Sequence, residues 1–168
     1  MLDRSGRLHR LRGETVEGRG HANGIHTKVE RQTRFLAVRK IDAITSQATL
    51  DAQRIMFAGL PPDAVRSVTL DNGHETHLSY QLDQYAIPVY HAHPYCSWER
   101  GTNEHVNGLL RRHLPKGTDL TDISQTDLDD ITTEINNHPL KCLDWHTPAE
   151  AFHQHLQSTP RVTVALQN

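Results

Sequence analysis

Apolar positions along the chain follow two rhythms. Thr15 and Val16, set between Gly13 and Gly18, suit a first strand over about 12–18. Ile25, Thr27 and Val29, a polar turn at Glu30 to Thr33, then Phe35, Leu36, Val38 and Ile41 predict two strands of a hairpin. The rhythm then turns helical: Ala48, Ala52, Ile55 and Met56 predict a helix over 43–57, stopped by Gly59 and Pro61-Pro62. Val65 to Leu70 reads as a short strand ending at Asp71-Asn72-Gly73. A helix over about 76–85 carries Leu78, Leu82 and Tyr85, and Ile87 to Tyr90 is a further strand. After a loop rich in His, Pro, Tyr and Trp (His91 to Gly101), a helix is expected over about 103–114. Ser124 and Asp127 open another, striped by Leu128, Ile131 and Ile135 and ended by Pro139; Thr147-Pro148-Ala149-Glu150 caps a last one, to about Leu156. Val162 to Leu166 reads as a strand or a loose tail.

Three leading strands followed by βα alternation imply a mixed α/β sheet with helices on its faces. That order resembles the ribonuclease H-like arrangement, which the pattern alone does not uniquely demand. With 168 residues, 36% of them hydrophobic and 5% aromatic, the chain can build one core, resting on Leu, Ile, Val and Ala. No apolar run approaches the roughly 18 residues of a membrane span, and the charged start at Met1 to Arg12 does not read as a secretory signal. Cys96 and Cys142 lie far apart, without the spacing of a disulfide scaffold or a cysteine zinc site, and fit a reducing cytosol.

Charge changes the picture more than composition does. Residues 1–40 hold ten Lys/Arg and four acids, a balance of +6, and the other 128 hold eight bases and sixteen acids, a balance of −8. A basic front points to a polyanion partner, although a solvated strand surface has the same composition.

Three carboxylates stand out. Asp71 closes a strand; Asp-Asn-Gly is ordinary turn chemistry, yet the carboxyl end of a strand is also where α/β sheets hold ligands. Glu75 is its nearest rival. Glu104 lies in the first turn of its helix, where the helix dipole alone would favour an acid. At 100° per residue, Asn107, Gly108 and Arg111 share its face, and Val106, Leu109, Leu110 and His113 take the other, expected to pack on the sheet. Glu14 sits mid-strand, where an inward acid is costly unless paired or bound to metal. If all three converge, they form the oxygen-rich site that Mg²⁺ or Mn²⁺ occupies in phosphoryl transfer. The thirteen histidines include His91-x-His93, His153-x-His155 and His74-x-x-His77, but no HExxH, and read mostly as surface or loop residues rather than a zinc module. Tyr95 and Trp98 read as loop anchors, with base stacking as the alternative.

The runs Thr69–Glu75, Gln84–Tyr90, His93–Glu104 (HPYCSWERGTNE), Asn107–Arg112 and Pro115–Gly117 resemble insertion-sequence transposases of the IS-thirty family. So do Ile135–Pro139, Lys141–Leu143, Thr147–Phe152, Gly13–Gly18 and Val29–Phe35; the resemblance covers residues 7–166. It implies a ribonuclease H-like core over 7–120, a C-terminal helical extension over 121–168, and an Asp-Asp-Glu triad acting with two Mg²⁺ or Mn²⁺ ions. The implied reaction is cleavage and strand transfer by transesterification of DNA phosphates, on element ends and target DNA, by a homo-oligomer in the bacterial cytoplasm at the nucleoid. Asp71 matches the second acid and Glu104 the third, 33 positions later. Glu14, in Gly13-Glu14-Thr15-Val16, stands where the family has the first Asp. Its extra methylene shifts the carboxylate by about 1.5 Å, against a tolerance of about 0.5 Å, so impaired cleavage is expected. Arg100, Asn107, Arg111, Arg112 and Lys116 are the expected DNA contacts. The family's N-terminal helix-turn-helix is expected to be missing ahead of the first strand; the alternative expectation is an inactive remnant that binds DNA without sequence preference.

Overall fold

A computed structural model of the chain describes residues 11–61, 65–70, 74–78, 80–82, 87–91 and 101–158, without the side chains of 21, 75 and 101–104. Five strands make one sheet in the order β3-β2-β1-β4-β5. They are β1 (Leu11–Glu17), β2 (Gly24–Glu30), β3 (Leu36–Ile41), β4 (Val68–Leu70) and β5 (Val89–His91). The first three pair antiparallel; β4 joins β1, and β5 joins β4, in parallel. Parallel neighbours need a crossover, and helix α1 (Ser46–Ala58) lies on the one from β3 to β4. Helices α2 (Gly101–His113), α3 (Gln125–Asn136) and α4 (Pro148–Ser158) follow. This is the mixed α/β sheet that the hydrophobic pattern predicts.

Side chains alternate across the sheet, so register decides which residues meet. Glu14 pairs with Thr27 and Val16 with Ile25, on the face covered by α2 and α3. Gly13 pairs with Lys28, Thr15 with His26 and Leu11 with Glu30, on the reverse face, where α1 packs. The α2/α3 face is an apolar core of Val16, Ile25, Val29, Leu36 and Val38 against Val106, Leu110, Leu114, Leu128 and Ile135. A second cluster joins Leu11, Val68 and Leu70 to Val65 and Ile87, with Phe57 of α1 against it.

β3 is an edge strand, and α3 closes it. Asn136 donates from Nδ2 to the Leu36 carbonyl at 2.8 Å and accepts the Leu36 N–H at 2.9 Å. Gln125, three turns earlier, accepts the Lys40 N–H at 2.9 Å and faces the Val38 carbonyl at 3.3 Å. Two side-chain amides thus take the place of a sixth strand, which protects an edge that would otherwise pair with another chain. Both sequence-predicted caps form. Ser124 and Asp127 exchange bonds across the start of α3, and Thr147 and Glu150 do so across the start of α4.

Several expectations need correction. The N-cap of α1 is Thr45, so the helix starts three residues later than expected. Its inward face is Thr49, Leu50, Ala52 and Gln53, while Ile55 is 51% exposed. The apolar stripe misled because the strand face opposite α1 carries polar residues and is met in kind. Among the described residues of 74–82, His74–Thr76 and 80–82 are 3-10 turns rather than an α-helix. On α2, Val106, Leu110 and Leu114 line up at four-residue steps in the core; His113 falls off that line and is exposed. The basic front is not simply a surface. Lys28 is buried, and Lys40 donates to the carbonyls of Thr121 and Ile123 at 3.0 and 2.8 Å. The predicted tail strand at 162–166 lies outside the described residues.

Candidate active site

Glu14 is half-buried on β1, facing α2. Its Oε2 accepts a hydrogen bond from Asn107 Nδ2 at 2.9 Å. Asn107 is itself 9% exposed, one side-chain position from the core residue Val106. Its amide orientation follows from its partners: a carboxylate takes only the NH₂, leaving Oδ1 toward the Thr27 hydroxyl at 3.4 Å. That hydroxyl also lies 3.1 Å from the Glu14 carbonyl oxygen; its single proton favours the nearer acceptor. A strand–strand–helix clamp therefore fixes the acid of β1 against the helix that carries Glu104 in its first turn.

The three candidate carboxylates have different standing. Glu14 is in place as above. Glu104 belongs to the first turn of α2 by its backbone, and its side chain is outside the described residues. Asp71 also lies outside them; β4 ends one residue earlier, at Leu70, which pairs with Gly13 beside Glu14. No group of three or more His, Cys, Asp or Glu side chains able to hold a metal forms among the described residues. The donor that Glu14 offers is a hard oxygen, which suits Mg²⁺ or Mn²⁺ and not the nitrogen and sulfur preference of structural zinc.

Of the expected DNA contacts, Arg100 lies outside the described residues, and Arg112 and Lys116 are exposed. Arg111 is half-buried; it donates to the Glu17 carbonyl at 3.1 Å and, at 3.5 Å, to that of Pro115. It thereby ties the end of β1 to the loop after α2. Asn107 turns toward the Glu14 carboxylate rather than outward. Of the histidine pairs, His153 is exposed while His155 is buried, so they share no ligand-ready face; His74 and His77 meet edge to face at 5.1 Å between ring centres. Tyr95 and Trp98 lie outside the described residues.

Thr27, Lys28, Gln53 and His26 were not read as site residues from the sequence. Thr27 completes the Glu14 clamp. On the reverse face, Lys28 Nζ donates to Gln53 Oε1 of α1 at 3.1 Å, and Gly13 leaves room for that ammonium. The glycine was the available signal: inside a strand, Gly marks close approach by another group. His26, two residues along the same face, is fully buried with Thr15 Oγ1 at 3.4 Å from Nδ1. Burial first, and the charge of Lys28 second, hold its imidazole well below its ordinary value.

No family model matches the chain. Individual relatives do. It is 34% identical over 154 residues, 90% of this chain, to the transposase for insertion sequence element IS1086 of Cupriavidus metallidurans, covering 45% of that protein. It is 33% identical over 151 residues to the transposase InsI for element IS30C of Escherichia coli, covering 89% of this chain and 39% of that one. The chain thus spans less than half the length of these curated relatives. In structure it resembles the catalytic core domain of BIV integrase, with a TM-score of 0.71 at 15% identity over 90% of this chain and 97% of that one. By sequence, and with a fold of the ribonuclease H-like integrase-core kind, the chain belongs to the IS30-type transposases.

Proposed function

We propose that this chain is the catalytic domain of a DDE-type insertion-element transposase, cutting and rejoining DNA phosphodiesters at element ends and target. The observation that carries the reading is the Asn107–Glu14 hydrogen bond at 2.9 Å. It joins the acid of β1 to the helix bearing Glu104, beside the strand that leads into Asp71. In this reading Glu14, Asp71 and Glu104 hold two Mg²⁺ or Mn²⁺ ions. When bound, such ions supply Lewis acidity to activate the attacking hydroxyl and to stabilise the departing oxygen. The protein's share is positioning. Asn107 keeps the longer Glu14 side chain in one orientation and the Thr27 hydroxyl anchors the Glu14 backbone carbonyl, which together offset part of the error the extra methylene introduces. Arg100, Arg112 and Lys116 are phosphate contacts, and Arg111 holds the β1 end and the 115–118 loop together beneath them. In this reading residues 7–120 are the catalytic core and 121–168 a helical extension, of which α3 packs on the β3 edge. The DNA-bound form is a homo-oligomer in the bacterial cytoplasm, at the nucleoid. A locked carboxylate in a complete sheet favours this over an inactive remnant.

Nicking of supercoiled DNA with Mn²⁺ tests the proposal. Glu14→Gln and Glu104→Gln should each bring nicking to background while leaving the metal-free melting temperature unchanged or raised, because each removes one charge from a self-repelling group. Asn107→Ala should lower nicking by about tenfold, an effect of misorientation. Wild-type nicking unaffected by both carboxylate changes would overturn the reading.

A further inference from the structure

Trp145 is the most exposed large apolar side chain among the described residues, at 69%. Its backbone has φ +68°, and Asp144 before it has φ +53°. A bulky residue in the left-handed region is strained, and Asn or Gly would make the same turn more easily. The loop that imposes this turn is closed on itself. The Leu140 carbonyl accepts the N–H groups of Leu143 and Trp145 at 3.0 and 3.1 Å. Leu140 N donates to the His146 carbonyl at 3.1 Å, and His146 N to that of Leu143 at 3.0 Å. The indole is thus held outward on a fixed backbone, where it does little for the fold. An aromatic ordered in advance is what a docking contact gains most from.

Beside this loop runs a groove of about 340 Å³ along the β3 edge, between α3 and α4. Phe35 and Ala37 lie at its floor, and Asp129 and Thr133 of α3 form one wall. Asn137 and Ala149, at the two feet of the Trp145 loop, also line it. Ring and groove are therefore neighbours on one side of the molecule. A two-fold contact needs that arrangement, since one patch must carry both halves of the fit. The indole N–H is a donor only, and Asp129 offers a carboxylate acceptor at the groove wall. Charge agrees: Lys141, the only Lys or Arg from position 117 to 160, is exposed on the Trp145 loop. Asp129, Asp130 and Glu134 are exposed on α3, against one acid, Asp144, on the loop. Two seated indoles, each covering roughly 150–250 Å² and a matching area of groove, bury about 800–1,000 Å², the weak end of specific interfaces.

We propose that this patch is where two copies of the chain meet: Trp145 of each copy seats in the groove between β3, α3 and α4 of the other, forming a weak two-fold dimer. The contact lies at the sheet edge, two strands from Glu14, and is independent of the reading of the carboxylates.

Sedimentation velocity of the whole chain without DNA, over a concentration series, tests this with wild type, Trp145→Asn and Thr133→Arg. Thr133→Arg fills the groove and pairs with Asp129 four residues earlier. Wild type should pass from monomer to dimer, and each variant should raise the dissociation constant at least about tenfold. An equimolar mixture of the two variants regains one seated ring of the two, so it should associate more tightly than either alone. Trp145→Asn should melt no lower than wild type when both are monomeric. A marked fall would mean that the indole packs within its own chain, which overturns the proposal. So would a wild type that stays monomeric, variants that dimerise like wild type, or a mixture no tighter than its components. Species larger than a dimer overturn the two-fold form. Variants that keep self-association but lose DNA binding give the ring to nucleic acid and overturn the dimer contact.

Discussion

On one face of the sheet, Val16, Ile25, Val29, Leu36 and Val38 meet Val106, Leu110, Leu128 and Ile135, and the polar groups Glu14, Thr27 and Asn107 sit together at its margin. On the other face, His26, Lys28 and Glu30 are as deeply buried, and α1 answers them with Thr49 and Gln53. The same strand, β2, supplies both sides: Ile25, Thr27 and Val29 to the first, His26, Lys28 and Glu30 to the second. An apolar face gains from area removed from water and tolerates little loss of volume. A charged face depends on each polar atom having its partner, so it is sensitive to geometry and to pH. The candidate acid lies on the first face, where packing holds it rigid; the buried cation lies on the second, one residue away in register.

The largest effect should come from the apolar face. Leu110 is fully buried at the centre of the core. Leu110→Ala should cost about 3 kcal/mol of unfolding free energy, read as a lower urea midpoint with no change in slope, and the loss should be the same at pH 7.5 and pH 5.5. A pH-dependent loss would show that the two faces are not separate.

Next is the point where the charged face touches β1. Gly13→Ala forces the Lys28 ammonium off Gln53 and crowds Leu70, and should cost about 2 kcal/mol. A double-mutant cycle with Lys28→Met sharpens the result. If the collision with the ammonium dominates, the two changes should be non-additive by about 1 kcal/mol or more. Simple additivity would place the cost in the contact with Leu70.

The apolar face was the more legible in the sequence, for a physical reason. Alternation at Ile25, Thr27 and Val29 reports directly on burial, and Ser124-x-x-Asp127 and Thr147-x-x-Glu150 are local capping chemistry; these elements appear where expected. The reverse face breaks the rule that burial follows hydrophobicity. His26, Lys28 and Glu30 look like the solvent side of a strand, and Gln53 like the outside of a helix, so of the stripe expected on α1 only Ala52 is buried, and Lys28 was given a place on a basic surface. Glu14 and Asn107 were both candidates from the sequence, but their hydrogen bond joins positions 93 apart, and no local pattern encodes it. Asp71 and Glu104 were candidates from the strand end and the helix face as well as from motif resemblance, and Arg100 with the resemblance; all three side chains lie outside the described residues.

The smallest effect is the acid response of the charged face. The folded His26 imidazole titrates well below its ordinary value, so on acidification the unfolded chain takes up this proton first. His26 therefore contributes its full stability above about pH 6.5 and loses it as pH falls toward the folded value. The slope approaches about 1.4 kcal/mol per pH unit. The depressed carboxylates of Asp127 and Glu150, held down by their caps at Ser124 and Thr147, act in a separate window: their contribution is lost only as pH falls below the ordinary carboxylate range. Urea midpoints at pH 7.5, 6.5 and 5.5 isolate the histidine. Wild type should weaken across this range, and His26→Leu should flatten the curve without touching Lys28 or Gln53. A slope that survives in His26→Leu would assign the acid response to other groups, leaving the charged face indifferent to pH in this window.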